Sequence, residues 1–339
     1  MIPVFKPSIR RKEMDAVLSC MISDNLWPGT ICETFVKELS VYLGVAGGVA
    51  VREYPRAIEI ALEALSLEPG AKVVLSALSP REYYDVLKIK GFEPLLVDVK
   101  EQTACLDPGL VEKALTEKPQ AIIVHHPLGF VPDLEALTAL EIPLIEDLSA
   151  GFGSHTGIKK SGSYGRLTLV RLEPEDMLTA GGGTAVLAVQ KKELTALKRI
   201  ASQLSSTVSM PDFNAALGLS QLHSLEQYIQ RRKEIASLYI PALAKGKHRT
   251  LIQEGDAENM IYSFPVIFSV GAREAAAYAK KQGLEVLPAF GNSVIGSIDN
   301  PDSYKTAASL FQRCLLFPLY PMLGKKNALS VERVLSTLP

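Results

Sequence analysis

The sequence predicts an α/β protein in which helices cover both faces of a mostly parallel sheet. Short and nearly continuous apolar runs alternate with helical segments between Gly48 and Asp147, as is typical of strands that are buried on both faces. After about residue 245 the pattern changes to a smaller mixture of strands and helices. We therefore expect a large domain over residues 1–244, including an N-terminal arm, and a small α+β domain over residues 245–339.

Each predicted element has a local signal. Ser8 is the predicted N-cap of the first helix, Gly44 ends the second helix, and Pro80 suits the first turn of the fourth. The predicted helices of the large domain are Ile9–Ile22, Cys32–Tyr42, Pro55–Leu65, Pro80–Lys90, Pro108–Thr116, Asp133–Leu140, Lys191–Leu204 and Asp212–Leu243. Its predicted strands are Gly48–Val51, Lys72–Ala77, Glu93–Val99, Ala121–His126, Ile142–Asp147 and Leu167–Leu172. The small domain is predicted as strand Ile261–Phe268, helix Ala272–Gln282, strand Leu284–Leu287 and helix Ser303–Cys314.

Composition excludes several classes of protein. With 47% apolar and 22% charged residues the chain can bury a sizeable core, and its net charge of -1 gives no sign of a nucleic-acid or anionic-membrane partner. The four cysteines are scattered without metal-site spacing, so we expect small buried side chains rather than a zinc site or a disulfide framework. The N-terminus lacks a signal-peptide pattern and no apolar run approaches ~18 residues, which favours a cytoplasmic protein without a membrane span.

The stretch Tyr164–Val186 has the pattern of a strand, a charged turn and a glycine run that opens a second strand. Such a return near the middle of an α/β chain often carries a residue that touches a cofactor. The turn contains three acids, Glu173, Glu175 and Asp176, and residues 161–190 contain neither lysine nor histidine. The run Gly181–Gly183 leads into a strand rather than a helix, so it is not a dinucleotide-binding fingerprint.

Several phrases match, in order and spacing, the motifs of one family. They are GFEPLLVDV (91–99), VHHPLGFVPDLEAL (124–137), PLIEDLSAGFG (143–153), NAALGLSQLHSLEQYIQRRKEIASLY (214–239) and LLFPLYPML (315–323). On these motifs nearly the whole chain resembles the DegT/StrS family of PLP-dependent sugar aminotransferases. The resemblance implies a PLP-transferase fold of type I, like that of aspartate aminotransferase. It also implies pyridoxal phosphate (PLP) as cofactor and a homodimer whose sites lie at the subunit interface.

The resemblance assigns Asp147 to the carboxylate that holds the pyridine nitrogen of PLP. An acid at the end of a strand can equally cap the turn that follows, and both interpretations stay open. At the family's phosphate-binding S-G-T motif this chain has Glu53-Tyr54-Pro55. Proline has no N–H to donate, tyrosine lacks the backbone freedom of glycine, and a glutamate would repel a phosphate dianion. Each lost charge-assisted hydrogen bond is worth roughly 1.5–3 kcal/mol.

The other contacts that the family makes with PLP also differ here. The ring-stacking aromatic falls at Pro80, with Tyr83 and Tyr84 close by, and the family's glutamine falls at Ala150. The asparagine and arginine that the partner subunit contributes fall at about Thr207 and Ser209.

The Schiff-base lysine of the family falls on Glu175, or on Asp176 if the turn is one residue longer. The histidine that one subgroup carries there is also absent. Lys159 and Lys160 lie on the preceding turn and resemble exposed lysines of the family. Adjacent strand residues point to opposite faces, so His125 and His126 are predicted to pack at a strand end rather than to bind a metal.

These differences favour a degenerate family member that does not transaminate. It would serve as a ligand-binding or regulatory protein in nucleotide-sugar or cell-surface polysaccharide biosynthesis. The alternative is an active PLP-dependent aminotransferase that acts on a nucleotide-linked keto sugar through a relocated lysine. A third possibility is that the vacated pocket binds a sugar nucleotide without chemistry. Whether the chain pairs with an intact paralogue is open at this point.

Overall fold

The computed structural model describes residues 1–23, 26–270 and 272–339. The strands of this part of the chain are β1 (Gly47–Val51), β2 (Lys72–Ser76), β3 (Glu93–Val97), β4 (Ala121–His125), β5 (Leu144–Asp147), β6 (His155–Thr156), β7 (Lys159–Lys160), β8 (Leu167–Arg171), β9 (Thr184–Ala188), β10 (Ala257–Glu258), β11 (Phe264–Ile267), β12 (Leu287–Pro288) and β13 (Cys314–Phe317).

The α-helices of the same residues follow the strands in the order that an α/β chain requires. They are α1 (Arg11–Ile22), α2 (Thr30–Leu43), α3 (Tyr54–Leu65), α4 (Arg81–Ile89), α5 (Pro108–Ala114), α6 (Leu134–Thr138), α7 (Lys191–Ala201), α8 (Asp212–Leu222), α9 (Leu225–Leu243), α10 (Arg273–Lys281), α11 (Lys305–Arg313) and α12 (Lys325–Leu335).

The main sheet has the strand order β1-β9-β8-β5-β4-β2-β3 in the described part of the chain. Strands β3, β2, β4, β5 and β8 pair in parallel, while β9 runs antiparallel to both β8 and β1. This topology confirms the predicted α/β class with a mostly parallel sheet. Because parallel strands end at the same edge, the segments that follow β2, β4, β5 and β8 meet there.

Both faces of the sheet are covered, as the continuous apolar strands require. On one face Ile58 of α3, Leu87 of α4 and Leu197 of α7 pack in one buried cluster with strand residues such as Ile145 and Leu169. On the opposite face, residues of α2 including Phe35 and Leu39 pack with Val170 and Leu187 in a second cluster. A third cluster, which includes Val111 and Leu134, places α5 and α6 against β2, β3 and β4. Among the described residues, no helix combines the length and apolar character that a membrane crossing requires.

The C-terminal part contains a second sheet, β11-β13-β12, which packs with α9, α10 and α12. The N-terminal arm joins this sheet, because Ile2 forms a parallel bridge with Leu284 and the Val4 N–H donates to Glu285 at 2.8 Å. The division at residues 244 and 245 stays a prediction. A third small sheet, β10-β6-β7, was not predicted, since its strands contain two residues each.

Several predicted boundaries are wrong. The first helix begins at Arg11 with Arg10 as its N-cap, because the Glu13 carboxylate accepts the Arg10 N–H at 2.9 Å. The Ser8 carbonyl instead accepts hydrogen bonds from Gln221 and Tyr228, which anchors the N-terminal arm to α8 and α9.

The predicted helix Asp212–Leu243 is two helices, since α8 ends at Leu222 and α9 starts at Leu225. In the C-terminal part the predicted strand Ile261–Phe268 is confirmed over Phe264–Ile267, which pairs with β13. Of the predicted strand Leu284–Leu287, only Leu287 lies in a strand, β12, which continues to Pro288. Strand β13 and helix α12 were missed. The predicted helix that ends at Cys314 stops instead at Arg313, and Cys314 begins β13 without an intervening turn.

Candidate functional site

Asp147 is the last residue of β5 and lies at the edge where the parallel strands end. Its side chain is buried, with 3% of the residue exposed. One carboxylate oxygen, Oδ1, accepts the Ser149 backbone N–H at 2.8 Å and the Ser149 hydroxyl. The other, Oδ2, accepts hydrogen bonds from the phenols of Tyr54 and Tyr83. Asp147 therefore caps its own turn and at the same time holds two tyrosines from other elements.

Two strand–helix units supply these tyrosines. Tyr54 is the first residue of α3, after β1, and Tyr83 lies in the first turn of α4, after β2. They are 6% and 0% exposed, and their phenol oxygens lie 2.7 Å apart. Burial, together with the negative charge of Asp147, raises the pKa of both phenols well above the usual value. Both phenols are therefore protonated at neutral pH and act as donors.

The turn after β8 is held by a buried ion pair. Arg171 donates to Asp176 through Nε and Nη2 at 3.0 and 2.9 Å, and the Glu173 backbone N–H donates to the same carboxylate at 2.8 Å. Burial raises the pKa of the Asp176 carboxyl to about 7, against the Arg171 guanidinium, which lowers it. The guanidinium carbon of Arg171 also lies 5.4 Å from the ring centroid of Tyr54. Asp147, Tyr54, Tyr83 and Ser149 are called the Asp147 cluster below. Arg171 thus contacts both the acidic turn and this cluster.

The glycine run returns the chain from this turn into β9, as the sequence predicts. Gly181, Gly182 and Gly183 have φ angles of 69°, 126° and 103°, which are strained for residues with a Cβ atom. The Gly182 N–H donates to the Leu172 carbonyl at 3.0 Å and closes the hairpin. The backbone of the turn therefore requires glycine, whatever side chains it carries.

The model of the DegT/DnrJ/EryC1/StrS aminotransferase family matches residues 7–338. The chain belongs to this family. Its similarity to the L-glutamine:2-deoxy-scyllo-inosose aminotransferase of Micromonospora echinospora is 31% identity over 60% of this chain and 55% of that protein. The GDP-perosamine synthase of Escherichia coli O157:H7 is 26% identical over 70% of each chain. The matched region thus spans from about half to 70% of these relatives' own length.

Solved structures of aminotransferases share the fold. The aminotransferase TlmJ from Streptoalloteichus hindustanus superposes with a TM-score of 0.90 and 22% identity, over 98% of this chain and 97% of that chain. Spr1654 from Streptococcus pneumoniae in its PLP form has a TM-score of 0.91 and 20% identity, over 99% and 97%. These likenesses confirm the predicted fold class, and the second of these structures is a PLP form.

Four other positions that the family resemblance singles out form no hydrogen bond with Asp147 in the described part of the chain. Glu53 is the exposed N-cap of α3 and Pro55 is exposed in its first turn. Pro80 is the N-cap of α4 and forms a bridge with Ser293. Ala150 is partly buried in the turn that follows β5.

Glu175 lies on the acidic turn, with 41% of its side chain exposed and one oxygen 3.7 Å from Arg171. Neighbouring Asp176 is buried in its ion pair with the same arginine. The two acids that share the predicted lysine position therefore differ in environment: one is largely solvated, and the other anchors the turn.

The lysines before the turn contact aromatic rings. Lys160 Nζ donates to the Tyr42 carbonyl at 2.6 Å and lies 3.7 Å from the centroid of that ring, and Lys159 Nζ lies 3.7 Å from the centroid of Tyr164. Arg52 is exposed beside α3, while Arg56 forms an ion pair with Glu59.

The two histidines have different partners. His125 Nδ1 lies 3.4 Å from the Ser79 hydroxyl, and burial lowers its pKa to about 4. His126 Nε2 lies 3.0 Å from a Glu146 carboxylate oxygen, and both side chains are fully buried. No cluster of three or more His, Cys, Asp or Glu side chains suitable for a metal ion occurs within the described ranges.

The segment before α8, which carries Thr207 and Ser209, pairs with the chain's own edge strand. Ser209 forms an antiparallel bridge with Val51, and the Met210 N–H donates to the Ala50 carbonyl at 3.0 Å. Thr207 is exposed and its hydroxyl lies 2.9 Å from that of Ser205.

The convergence of Tyr54 and Tyr83 on Asp147 is the feature that sequence reasoning missed. The sequence places Tyr83 close to the ring-stacking position and Tyr54 in the altered phosphate motif of a vestigial pocket. It indicates no contact of either residue with Asp147. The available signal was positional, because both tyrosines lie in the first turn of a helix that follows a strand. Strand β1, before Tyr54, runs in the same direction as β8, since β9 is antiparallel to both, so both helix starts lie at the edge where β5 ends with Asp147.

Proposed function

We propose that this chain is a non-transaminating member of the DegT/DnrJ/EryC1/StrS family whose Asp147 site is closed by its own side chains. In this role it is a ligand-binding or regulatory protein of nucleotide-sugar or cell-surface polysaccharide biosynthesis, and it functions as a homodimer in the cytoplasm. The observation that carries the proposal is the pair of hydrogen bonds from Tyr54 and Tyr83 to Asp147 Oδ2.

The residues around Asp147 do not fit PLP. A protonated pyridine nitrogen must donate to a carboxylate oxygen, and both Asp147 oxygens already accept from Tyr54, Tyr83 and Ser149. Admitting the ring would displace two buried phenols from a charged acceptor. Hydrogen bonds to charged groups contribute roughly 1.5–3 kcal/mol each, so two lost bonds oppose ring binding by several decades in affinity.

The other two requirements for PLP are also unmet by the residues present. An imine requires a primary amine, whereas the turn offers Glu175, Asp176 and Arg171, whose guanidinium stays protonated in proteins. A phosphate requires backbone N–H groups at a helix start, whereas α3 begins with Glu53 as N-cap and Pro55 in its first turn. Three independent losses favour a role without the cofactor more than a single altered residue would.

The names of relatives support the pathway. The GDP-perosamine synthase of Escherichia coli O157:H7 is named for a nucleotide sugar. The spore coat polysaccharide biosynthesis protein SpsC of Bacillus subtilis, 27% identical over 70% of this chain and 68% of that protein, is named for a surface polysaccharide. We therefore propose a sugar nucleotide as the small-molecule ligand.

The test is to incubate the purified protein with PLP, reduce with borohydride and map any pyridoxyl-lysine by mass spectrometry. We expect no visible band, no adduct and no shift of the unfolding temperature with PLP, while one nucleotide-sugar of a screened set raises that temperature. An adduct at Lys159 that is lost in Lys159→Ala, or an adduct at Lys160 that is lost in Lys160→Ala, would contradict the proposal. It would favour an active aminotransferase with a relocated lysine.

A further inference from the structure

A small cavity lies between the N-terminal arm, the turn after β8 and helix α9. Arg232 of α9 lines it and is 5% exposed. The guanidinium forms no ion pair with any carboxylate of the described residues, although buried charges in proteins are normally paired. Burial lowers the pKa of Arg232 to about 10, so it is still a cation at neutral pH. A buried cation without a countercharge needs an explanation.

Within the described residues, the hydrogen bonds of the Arg232 guanidinium come from only one of its nitrogen atoms. Nη1 donates to the backbone carbonyls of Ile261, Tyr262 and Leu319. Nε is buried and has no partner, and no bond from Nη2 is found within residues 1–23, 26–270 and 272–339. In a guanidinium, the N–H of Nε and one N–H of Nη2 point in the same direction and form a two-donor edge that suits anions. This is the edge left open in Arg232.

A second unpartnered donor lines the same cavity. Ser8 of the N-terminal arm is 6% exposed, and its hydroxyl has no partner among the described residues. Lys6 lines the cavity as well. The acids of the lining, Glu175 and Asp176, lie beside Arg171, which pairs with both. Among the described residues of this wall, Arg232 therefore has no carboxylate partner, since both acids are paired with Arg171.

The size of the cavity limits what it can hold. The cavity has a volume of about 10 Å³, which is close to the minimum that holds one water molecule. A sugar phosphate or a dicarboxylate is too large. A single-atom anion is close to this size, and both residues with unpartnered donors, Arg232 and Ser8, line the cavity.

We propose that this cavity is a binding site for a small monovalent anion of the size of chloride. The anion neutralises Arg232 and bridges α9 to the N-terminal arm through Ser8. It thereby fixes the arm against the acidic turn after β8. The site is independent of the proposed function, because it uses none of the residues that contact Asp147.

Two measurements test the site on the full-length protein. The first is thermal unfolding in sodium chloride against sodium gluconate at equal ionic strength. We expect a saturable rise of the midpoint with chloride and none with gluconate, because a ligand that binds only the folded state stabilises it by mass action. The second is anomalous diffraction from crystals soaked in sodium bromide, in which we expect a peak within hydrogen-bonding distance of Arg232 Nε.

Variants locate the effect. Arg232→Met should abolish the chloride dependence and Ser8→Ala should weaken it several-fold. Arg231→Met, on the same helix but ion-paired to Glu234 at 2.7 Å, should leave it unchanged. If Arg232→Met does not fold, Ser8→Ala and the bromide peak decide. Equal responses to chloride and gluconate, or bromide-soaked crystals without a peak at this cavity, would overturn the proposal and leave a water molecule as its occupant.

Discussion

Two buried carboxylates lie near the edge where the parallel strands end, and they are held in different ways. Asp147 and Asp176 are 3% and 5% exposed. Asp147 accepts from two phenols, one hydroxyl and one backbone N–H, all of them neutral donors. Asp176 accepts a two-point hydrogen bond from the guanidinium of Arg171. Neutral donors therefore solvate the charge of Asp147, whereas the guanidinium of Arg171 neutralises the charge of Asp176.

The difference shows how the chain's own side chains can stabilise two buried carboxylates at this edge of the main sheet. A charge that neutral donors solvate depends on how many donors are present, so each phenol contributes a part. A buried charge that one cation neutralises loses its countercharge when that cation is removed. Arg171 also lies over the Tyr54 ring, so it couples the two clusters. Variants in either cluster should therefore differ in size of effect and in how they combine.

The largest effect is expected for Arg171→Met. It leaves Asp176 buried without its cation, and breaking a buried ion pair from one side lowers the free energy of unfolding by about 3–5 kcal/mol. Urea unfolding at pH 8, where Asp176 is ionised, measures the loss. The double variant Arg171→Met/Asp176→Asn should recover a large part of it, since no buried charge is then unpaired. A double variant as unstable as Arg171→Met alone would show that the arginine acts through packing instead.

An intermediate effect is expected for Tyr83→Phe and Tyr54→Phe. Each removes one of the four donors to Asp147 and should lower the free energy of unfolding by about 1.5–3 kcal/mol, the range for hydrogen bonds to charged groups. Tyr84→Phe, on the same helix with a partly exposed side chain, is the matched control and should cost much less. If Tyr84→Phe and Tyr83→Phe are equally destabilising, the phenol–carboxylate contacts do not carry the stability of this cluster.

The pH dependence of stability should differ in sign between Asp176 and His125, the neighbour of Asp147 in the sheet. His125 of β4 lies opposite Asp147 of β5 in the sheet. Burial lowers the folded-state pKa of His125 from 6.5 to about 4. Its contribution is fully present above pH 6.5 and is lost as the pH falls towards 4, by about 1–3 kcal/mol. Subtracting the stability–pH curve of His125→Gln from that of the unchanged protein isolates this loss.

Asp176 provides the contrast for that measurement. Its folded-state pKa is raised from 3.8 to about 7 by burial, so the folded state binds the proton more tightly than the unfolded state. Stability from this group therefore rises as the pH falls from 7 to 3.8. The difference curve for Asp176→Asn should slope opposite to that for His125→Gln. Slopes of the same sign would show that the pKa of one of the two groups is shifted in the opposite direction, and a flat difference curve would show that the pKa of that group is the same in the folded and unfolded states.

The fold could be predicted largely because the strands of the main sheet are short, apolar and separated by proline or glycine. Where those separators are missing the prediction failed. Arg313 ends α11 and Cys314 starts β13 with no turn residue between them, and periodicity alone cannot divide such a run into helix and strand. The break between α8 and α9 at His223 and Ser224 likewise carries neither proline nor glycine.

The candidate site was predictable in position and not in contacts. The location of Asp147 follows from where β5 ends, which a sequence pattern can locate. The contacts of Tyr54 and Tyr83 depend on how two helices from separate strand–helix units are rotated on the sheet. Local sequence does not encode that rotation, because it is set by the packing of residues such as Ile58 and Leu87 in the shared core.

The smallest effect on stability, and a sharp test of the comparison, is expected for Glu175→Lys. It restores an amine to the turn while the Asp147 cluster stays closed. Because Glu175 has 41% of its side chain exposed, the free energy of unfolding should change by less than about 0.5 kcal/mol. Incubation with PLP and borohydride should still give no adduct at residue 175, since Tyr54 and Tyr83 continue to occupy Asp147. Glu112→Lys, at an exposed position of α5, controls for nonspecific labelling. A specific adduct at residue 175 would show that the turn alone, rather than the closed carboxylate, separates this chain from its PLP-binding relatives.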